Sequence, residues 1–161
     1  MSLRELAVKV KDKGKGRHGR LLTIKEIKRI RKRGYQAERE LVKKLRRYGF
    51  KSVRVPVSAP SAEPLPDVFA MKGNCILAFE IKALNAERVY FRKEQVKKLL
   101  DFLDMFEIYA NKAAIICAKF PYRWVFKRVN QIDDYVIHRN EKSDIQLYWS
   151  LKDLITKVST P

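Results

Sequence analysis

The sequence predicts a mixed α/β sandwich built on one central sheet. Three observations lead there. Candidate elements run helix, strands, helix, strands along the chain. "AAIICAKF" is a short, continuously apolar run of the kind that fills a buried strand, and "RWVFKRV" fits a neighbouring one. The chain has 161 residues, 46% of them hydrophobic, which is enough for one domain with a real core plus an appendage.

Residues 1–22 contain "KVKDKGKGRHGR", three glycines among dense charge, and read as a flexible basic arm suited to phosphates. Thr23-Ile24-Lys25-Glu26 has the pattern of a capping box and starts a short basic helix through "IKRIRKR". Gly34 is expected to interrupt it. A stronger helix follows from about Tyr35 to Tyr48, stopped by Gly49 where a C-terminal glycine is preferred. The expected division is therefore a basic arm and short helix over 1–33, then a folded domain over 34–158.

"SVRVPV" reads as a strand, and "SAPSAEPLP" as a loop of the kind that carries function at its tip. A short strand near Val68–Met71, a turn at Lys72-Gly73-Asn74 and a strand from Cys75 to about Leu84 make a β-hairpin. Residues 91–107 read as a helix, and a last helix is expected from Leu151 to Lys157. There are no internal repeats.

Charge narrows the function. Thirty-six basic against 18 acidic residues give +18. Thirteen basic and three acidic residues fall in the first 33, so the arm alone carries +10. Thermophilic surfaces raise charge of both signs, but they do not explain a two-to-one excess. A polyanionic partner, nucleic acid, explains it better. No window has the apolar length of a membrane span, and no signal peptide core stands at the N-terminus, so a cytoplasmic protein is expected. Cys75 and Cys117 lie in apolar stretches and read as reduced core residues. Neither they nor His18 and His138 have zinc-ligand spacing.

Two glutamates in "YQAERELVKKLRRY" differ in their surroundings. Glu40 has Lys43 and Lys44 at +3 and +4 and reads as a surface residue in helical ion pairs. Glu38 has Leu41, Val42 and Leu45 at +3, +4 and +7, beside the apolar stripe, where a carboxylate needs a cationic or metal partner. In the hairpin, alternation places Ile76, Ala78, Glu80 and Lys82 on one face, out of a strand expected to be buried on its opposite side. Asp67 enters the adjacent strand. Carboxylates held together repel, and a hard divalent cation with oxygen ligands relieves them. A lysine beside such an ion can orient water and neutralise charge on a phosphate.

Pro-Asp followed about a dozen residues later by Glu-x-Lys inside an apolar strand is the PD-(D/E)xK nuclease pattern. From Gly34 to about Lys157 the chain resembles the archaeal Holliday junction resolvases of the Hjc/Hje type. "RGYQAERELVKKLRRYGFKSVRVPVS" resembles their opening helix, first strand and serine loop. "PLPDVFAMKGNCILAFEIK" resembles their catalytic hairpin, and "VYFRKEQVKKLLDF" the segment leading into their second helix. The resemblance implies a restriction-endonuclease-like sheet flanked by helices. It also implies Mg²⁺ (or Mn²⁺) held by Asp67, Glu80, Glu38 and the Ile81 carbonyl, with Lys82 as the catalytic lysine. Arg54 is then placed to clamp the scissile phosphate and Ser58 to contact phosphate or water, with Gln95 as a further DNA contact. The resemblance says nothing about residues 1–33, where Lys32 and Arg33 are expected to contact DNA through their charge.

The second helix is apolar over a wide arc, with Leu99, Phe102, Met105 and Phe106 on one stripe. The resemblance implies a two-fold dimer through it, anchored by Leu99, Phe102 and Phe106. The implied activity is paired, symmetric nicking of four-way DNA junctions that leaves 5′-phosphates. Two other readings fit the residues: another PD-(D/E)xK nuclease of repair or restriction type, and a non-catalytic basic DNA-binding protein. The intact Glu38, Asp67, Glu80 and Lys82 set argues against the second, since a pure binder gains nothing from acids facing phosphates.

Overall fold

A computed structural model describes residues 22–56 and 63–145. The expected basic arm, Ser58 and the expected C-terminal helix lie outside the described residues.

Helix α1, Ile24–Arg47, is one continuous helix. Its capping box is formed as the sequence predicts: Glu26 N–H donates to the Thr23 hydroxyl at 3.2 Å, and Thr23 N–H donates to the Glu26 carboxylate at 2.8 Å. Gly49, with φ +82°, follows the last turn. The break expected at Gly34 is absent. An interior glycine costs a helix only about 1 kcal/mol, less than a capped start and the burial of Ile27 and Ala37 on either side return. Nothing lies within 4 Å of a Cβ built at Gly34. Gly34→Ala is therefore expected to stabilise the protein by about 0.5–1 kcal/mol, seen as a rise in thermal midpoint with unchanged nuclease activity.

The central sheet has the order β1-β2-β3-β5-β6, from β1 (Lys51–Arg54), β2 (Val68–Lys72), β3 (Cys75–Ala83), β5 (Asn111–Phe120) and β6 (Arg123–Val129). The β2–β3 hairpin pairs Val68 with Phe79 and Lys72 with Cys75, through a turn at Gly73 and Asn74 as the sequence predicts. Strand β5 runs parallel to β3, and every other pairing in this sheet is antiparallel. Between β3 and β5 lie β4 (Arg88–Phe91) and helix α2 (Lys93–Asp104). Strand β4 pairs with β7 (Tyr135–His138) in a separate two-stranded ribbon that the sequence reading did not anticipate. Helix α2 is shorter than the 91–107 expected, because Phe91 is spent in that ribbon.

Helix α1 covers one face of the sheet through Ala37, Leu41 and Leu45, packed on Val68, Leu77, Phe79 and Ile81. Helix α2 covers the other through Val96, Leu99 and Phe102, packed on Ile76, Ala78 and Ile116 with the β4–β7 ribbon beside them. Strand β3 is therefore buried on both faces, not on one as expected: Ile76 and Ala78 are as inaccessible as Leu77 and Phe79. The ribbon widens the apolar floor under α2, so one chain satisfies most of that helix's wide arc. Leu99 is wholly buried and Phe102 nearly so, while Met105 and Ile108 beyond the helix are exposed. Phe102 and Phe106 clasp Phe69, with ring centroids 5.4 and 5.5 Å from it. Of the three residues expected to anchor a dimer, Leu99 and Phe102 thus serve the core of their own chain, and Phe106 alone stays half-buried. Cys75 and Cys117 are free and buried, as expected of reduced core thiols.

Candidate active site

The candidate residues meet near the C-terminal end of β3. Asp67 stands one residue before β2, where its N–H donates to the Phe79 carbonyl at 2.9 Å and its carbonyl accepts from Val55 N–H at 2.9 Å. Pinned between β1 and β3, its side chain turns back so that Oδ2 accepts the Ile81 N–H at 2.7 Å. Glu80 and Lys82 flank Ile81 and point to the α2 side of the sheet.

Gln95, in the first turn of α2, joins those two. Its Nε2 donates to Glu80 Oε1 at 2.6 Å, and its Oε1 accepts from Lys82 Nζ at 2.7 Å and from Arg92 N–H at 3.2 Å. A primary amide suits this position because it offers a donor to the carboxylate and an acceptor to the ammonium at once. Lys82 Nζ also donates to the Tyr90 carbonyl at 2.6 Å and lies 5.0 Å above the Phe91 ring. The ribbon strand β4 and the start of α2 therefore aim the lysine.

Arg54 donates to the Glu38 carboxylate across the gap between β1 and α1. Its guanidinium also sits 4.8 Å over the Tyr35 ring. This is the cationic partner that the position of Glu38 beside the apolar stripe demanded, and Tyr35, one helical turn earlier, completes the clamp. Glu40 departs from expectation. Its partners are Lys119 and the Trp124 indole N–H across the β5–β6 hairpin, so it fastens α1 to the sheet. Sequence neighbours at +3 and +4 could not reveal partners some eighty residues away.

Both central acids pay for their surroundings. Burial pushes the Asp67 carboxyl up to about 6, against the pull of the Ile81 N–H, with the Glu38 charge adding to the rise. Burial, and then the Asp67 charge, push Glu80 up to about 8, opposed by Lys82 and the Gln95 amide. Each retains some surface, but protein atoms crowd it on most sides. Among the described residues no three acidic, histidine or cysteine side chains gather at metal-ligand spacing. Asp67 and Glu80 are the pair that come together, with Glu38 engaged by Arg54. Two desolvated carboxylates, with the Asp67 charge raising the pKa of Glu80, supply hard oxygen donors of the kind that fit a hard divalent cation.

Of the other expected DNA contacts, Lys32 lies with Tyr35 and Arg39 on the exposed face of α1. Arg33 faces the opposite way, toward the β3 and β5 ends. Gln95 carries more of the site than the sequence suggested, and Tyr35 was missed; its one available signal was an aromatic ring three residues before Glu38.

A mixed sheet between two helices, with an aspartate at the mouth of one hairpin strand and Glu-Ile-Lys in the next, defines the class: a nuclease acting on DNA. The family model described as archaeal Holliday junction resolvase (Hjc) matches residues 29–159, and the chain belongs to that family. It is 37% identical over 130 residues to the crossover junction endodeoxyribonuclease Hje of Saccharolobus solfataricus, covering 80% of this chain and 96% of that one. Its identity to the Hje of Sulfolobus acidocaldarius is 43% over 103 residues, covering 63% and 73%. The fold is similar to the solved structure of Archaeoglobus fulgidus Hjc, a Holliday junction resolvase. There the TM-score is 0.56 at 27% identity, over 66% of this chain and 88% of that one. No helix among the described residues is long and apolar enough to cross a membrane.

Proposed function

We propose that this chain resolves four-way DNA junctions by hydrolysing a phosphodiester in each of two opposing strands, leaving 5′-phosphates. The observation that carries the reading is the part-buried Asp67–Glu80 pair beside Lys82 in a chain of the resolvase family. Asp67 and Glu80, with the Ile81 carbonyl, are the ligands for Mg²⁺, for which Mn²⁺ can substitute. When bound, the cation activates water and offsets charge on the phosphate. Lys82, aimed by Gln95 and the Tyr90 carbonyl, orients the attacking water and donates to the phosphate oxygen that gains charge. Arg54, held flat by Glu38 and Tyr35, is preorganised to grip the adjacent phosphate. Glu38 acts through Arg54 as a positioning residue and would help hold the cation. Ser58 follows the β1 strand that carries Arg54 and is assigned to phosphate contact.

The protein works as a homodimer. The half-buried Phe106 and the exposed Met105 and Ile108 beyond α2 form the surface for the second copy, above the Leu99 and Phe102 core. Two-fold symmetry then sets two sites against a two-fold junction. The basic residues over 1–33, with Lys32 and Arg33 in the first turns of α1, add phosphate affinity, and the protein works in the cytoplasm, where the DNA is. Recognition is of branch shape and phosphate placement.

The test is a labelled four-way junction beside a linear duplex of the same sequence, each with Mg²⁺ or with EDTA. Paired cuts in the junction alone, and only with metal, support the proposal. Equal cutting of duplex favours a repair or restriction nuclease. Tight, salt-sensitive binding without cutting favours the non-catalytic binder.

A further inference from the structure

At the tip of the β5–β6 hairpin, Tyr122 is fully exposed and has φ +62°. This left-handed backbone suits glycine and penalises a side chain. Among the described residues Tyr122 is the sole non-glycine in that region. Its ring buries nothing in its own chain, so packing does not explain an aromatic there. Tyr122 lines the rim of a cavity of about 240 Å³, walled by Leu84 and Asn85 from the end of β3, Lys119 and Pro121 from the hairpin, and Arg33 from α1. Leu84 stands two residues beyond Lys82 on the same strand, with its N–H on the Lys119 carbonyl at 3.1 Å. At ~3.3 Å per residue the backbone of Leu84 is roughly 7 Å from that of Lys82. That is on the order of two stacked steps along a DNA strand.

Resting on the resolvase reading above, we propose that this cavity receives one unstacked nucleotide of the cut strand beside the branch point, with Tyr122 stacking on its base and Arg33 facing its phosphate. An exposed ring, an apolar wall and a cation in one small cavity match the base-plus-phosphate chemistry of single-stranded DNA. A paired duplex offers no such nucleotide, so the cavity favours branched over linear DNA.

The test uses full-length protein on four-way junctions carrying 2-aminopurine at successive positions beside the cut, read by fluorescence in EDTA and by single-turnover cutting with Mg²⁺. Tyr122→Gly removes the ring while suiting the backbone, so it is expected to melt no lower than wild type. Wild type and Tyr122→Phe are expected to change the emission at one position on binding. Tyr122→Gly is expected to lose that change and to cut the junction about tenfold more slowly. An unchanged emission profile and cutting rate in Tyr122→Gly overturns the proposal. Should wild type bind the junction without cutting it, the resolvase reading falls, and the ring-dependent emission still decides the cavity's role.

Discussion

Asp67→Asn is expected to reduce metal-dependent cutting of a four-way junction by about 10³-fold or more while leaving binding intact. The substitution keeps size and can keep the acceptor for the Ile81 N–H, so the hairpin should hold. What it removes is one of the two charges proposed to hold the cation. Binding rests on the basic surface, which the change leaves alone, and losing a negative charge near phosphate does not weaken it. A gel-shift titration in EDTA beside single-turnover cutting in Mg²⁺ reads both. Equal cutting by the variant would remove Asp67 from the metal site.

Glu80→Gln should have two opposite effects: loss of cutting, and a more stable metal-free protein above neutral pH. The Glu80 carboxyl is pushed up to about 8 in the fold, chiefly by burial, and Asp67 to about 6. Each therefore binds its proton more tightly folded than unfolded. Their contribution is intact at acid pH and is lost as pH rises through the folded values, so metal-free stability should fall from about pH 5 to pH 8. Glutamine cannot ionise, and the variant should escape part of that fall. Thermal melts at pH 5 and pH 8 in EDTA check it: little difference at pH 5, a higher midpoint for the variant at pH 8. Mg²⁺ should raise the wild-type midpoint at pH 8 and leave the variant's nearly unmoved, because the ion repays the charged pair and releases its protons. Identical pH profiles would show that Glu80 is not held in a costly ionised state.

Local features were readable from the chain, and features that depend on distant residues were not. The capping box at Thr23, the stop at Gly49 and the hairpin turn at Gly73-Asn74 each rest on a few adjacent residues with fixed geometry. Asp67, Glu80 and Lys82 were legible because charge inside an apolar alternation stands out against the expense of burying it. The β4–β7 ribbon was not, since two four-residue strands separated by α2, β5 and β6 leave no local trace of their pairing. Its effects spread: it buries the second face of β3, widens the floor beneath α2 and places the Tyr90 carbonyl on Lys82. Glu40 was misread for the same reason, because Lys119 and Trp124 outcompete the helical lysines from across the fold. At Gly34 a local signal misled, since one glycine is a small cost in a helix of 24 residues.

That unbroken helix makes the enzyme's basic end and its chemistry parts of one lever. From Thr23 to Glu38 the axis runs ~22 Å at 1.5 Å per residue, with no joint between. Under the proposed function, a DNA arm lying against the first two turns would bear on the pitch of the Glu38–Arg54 clamp, and the angle between junction arms would reach the active site through it. Linear DNA presents no second arm to press on the far end.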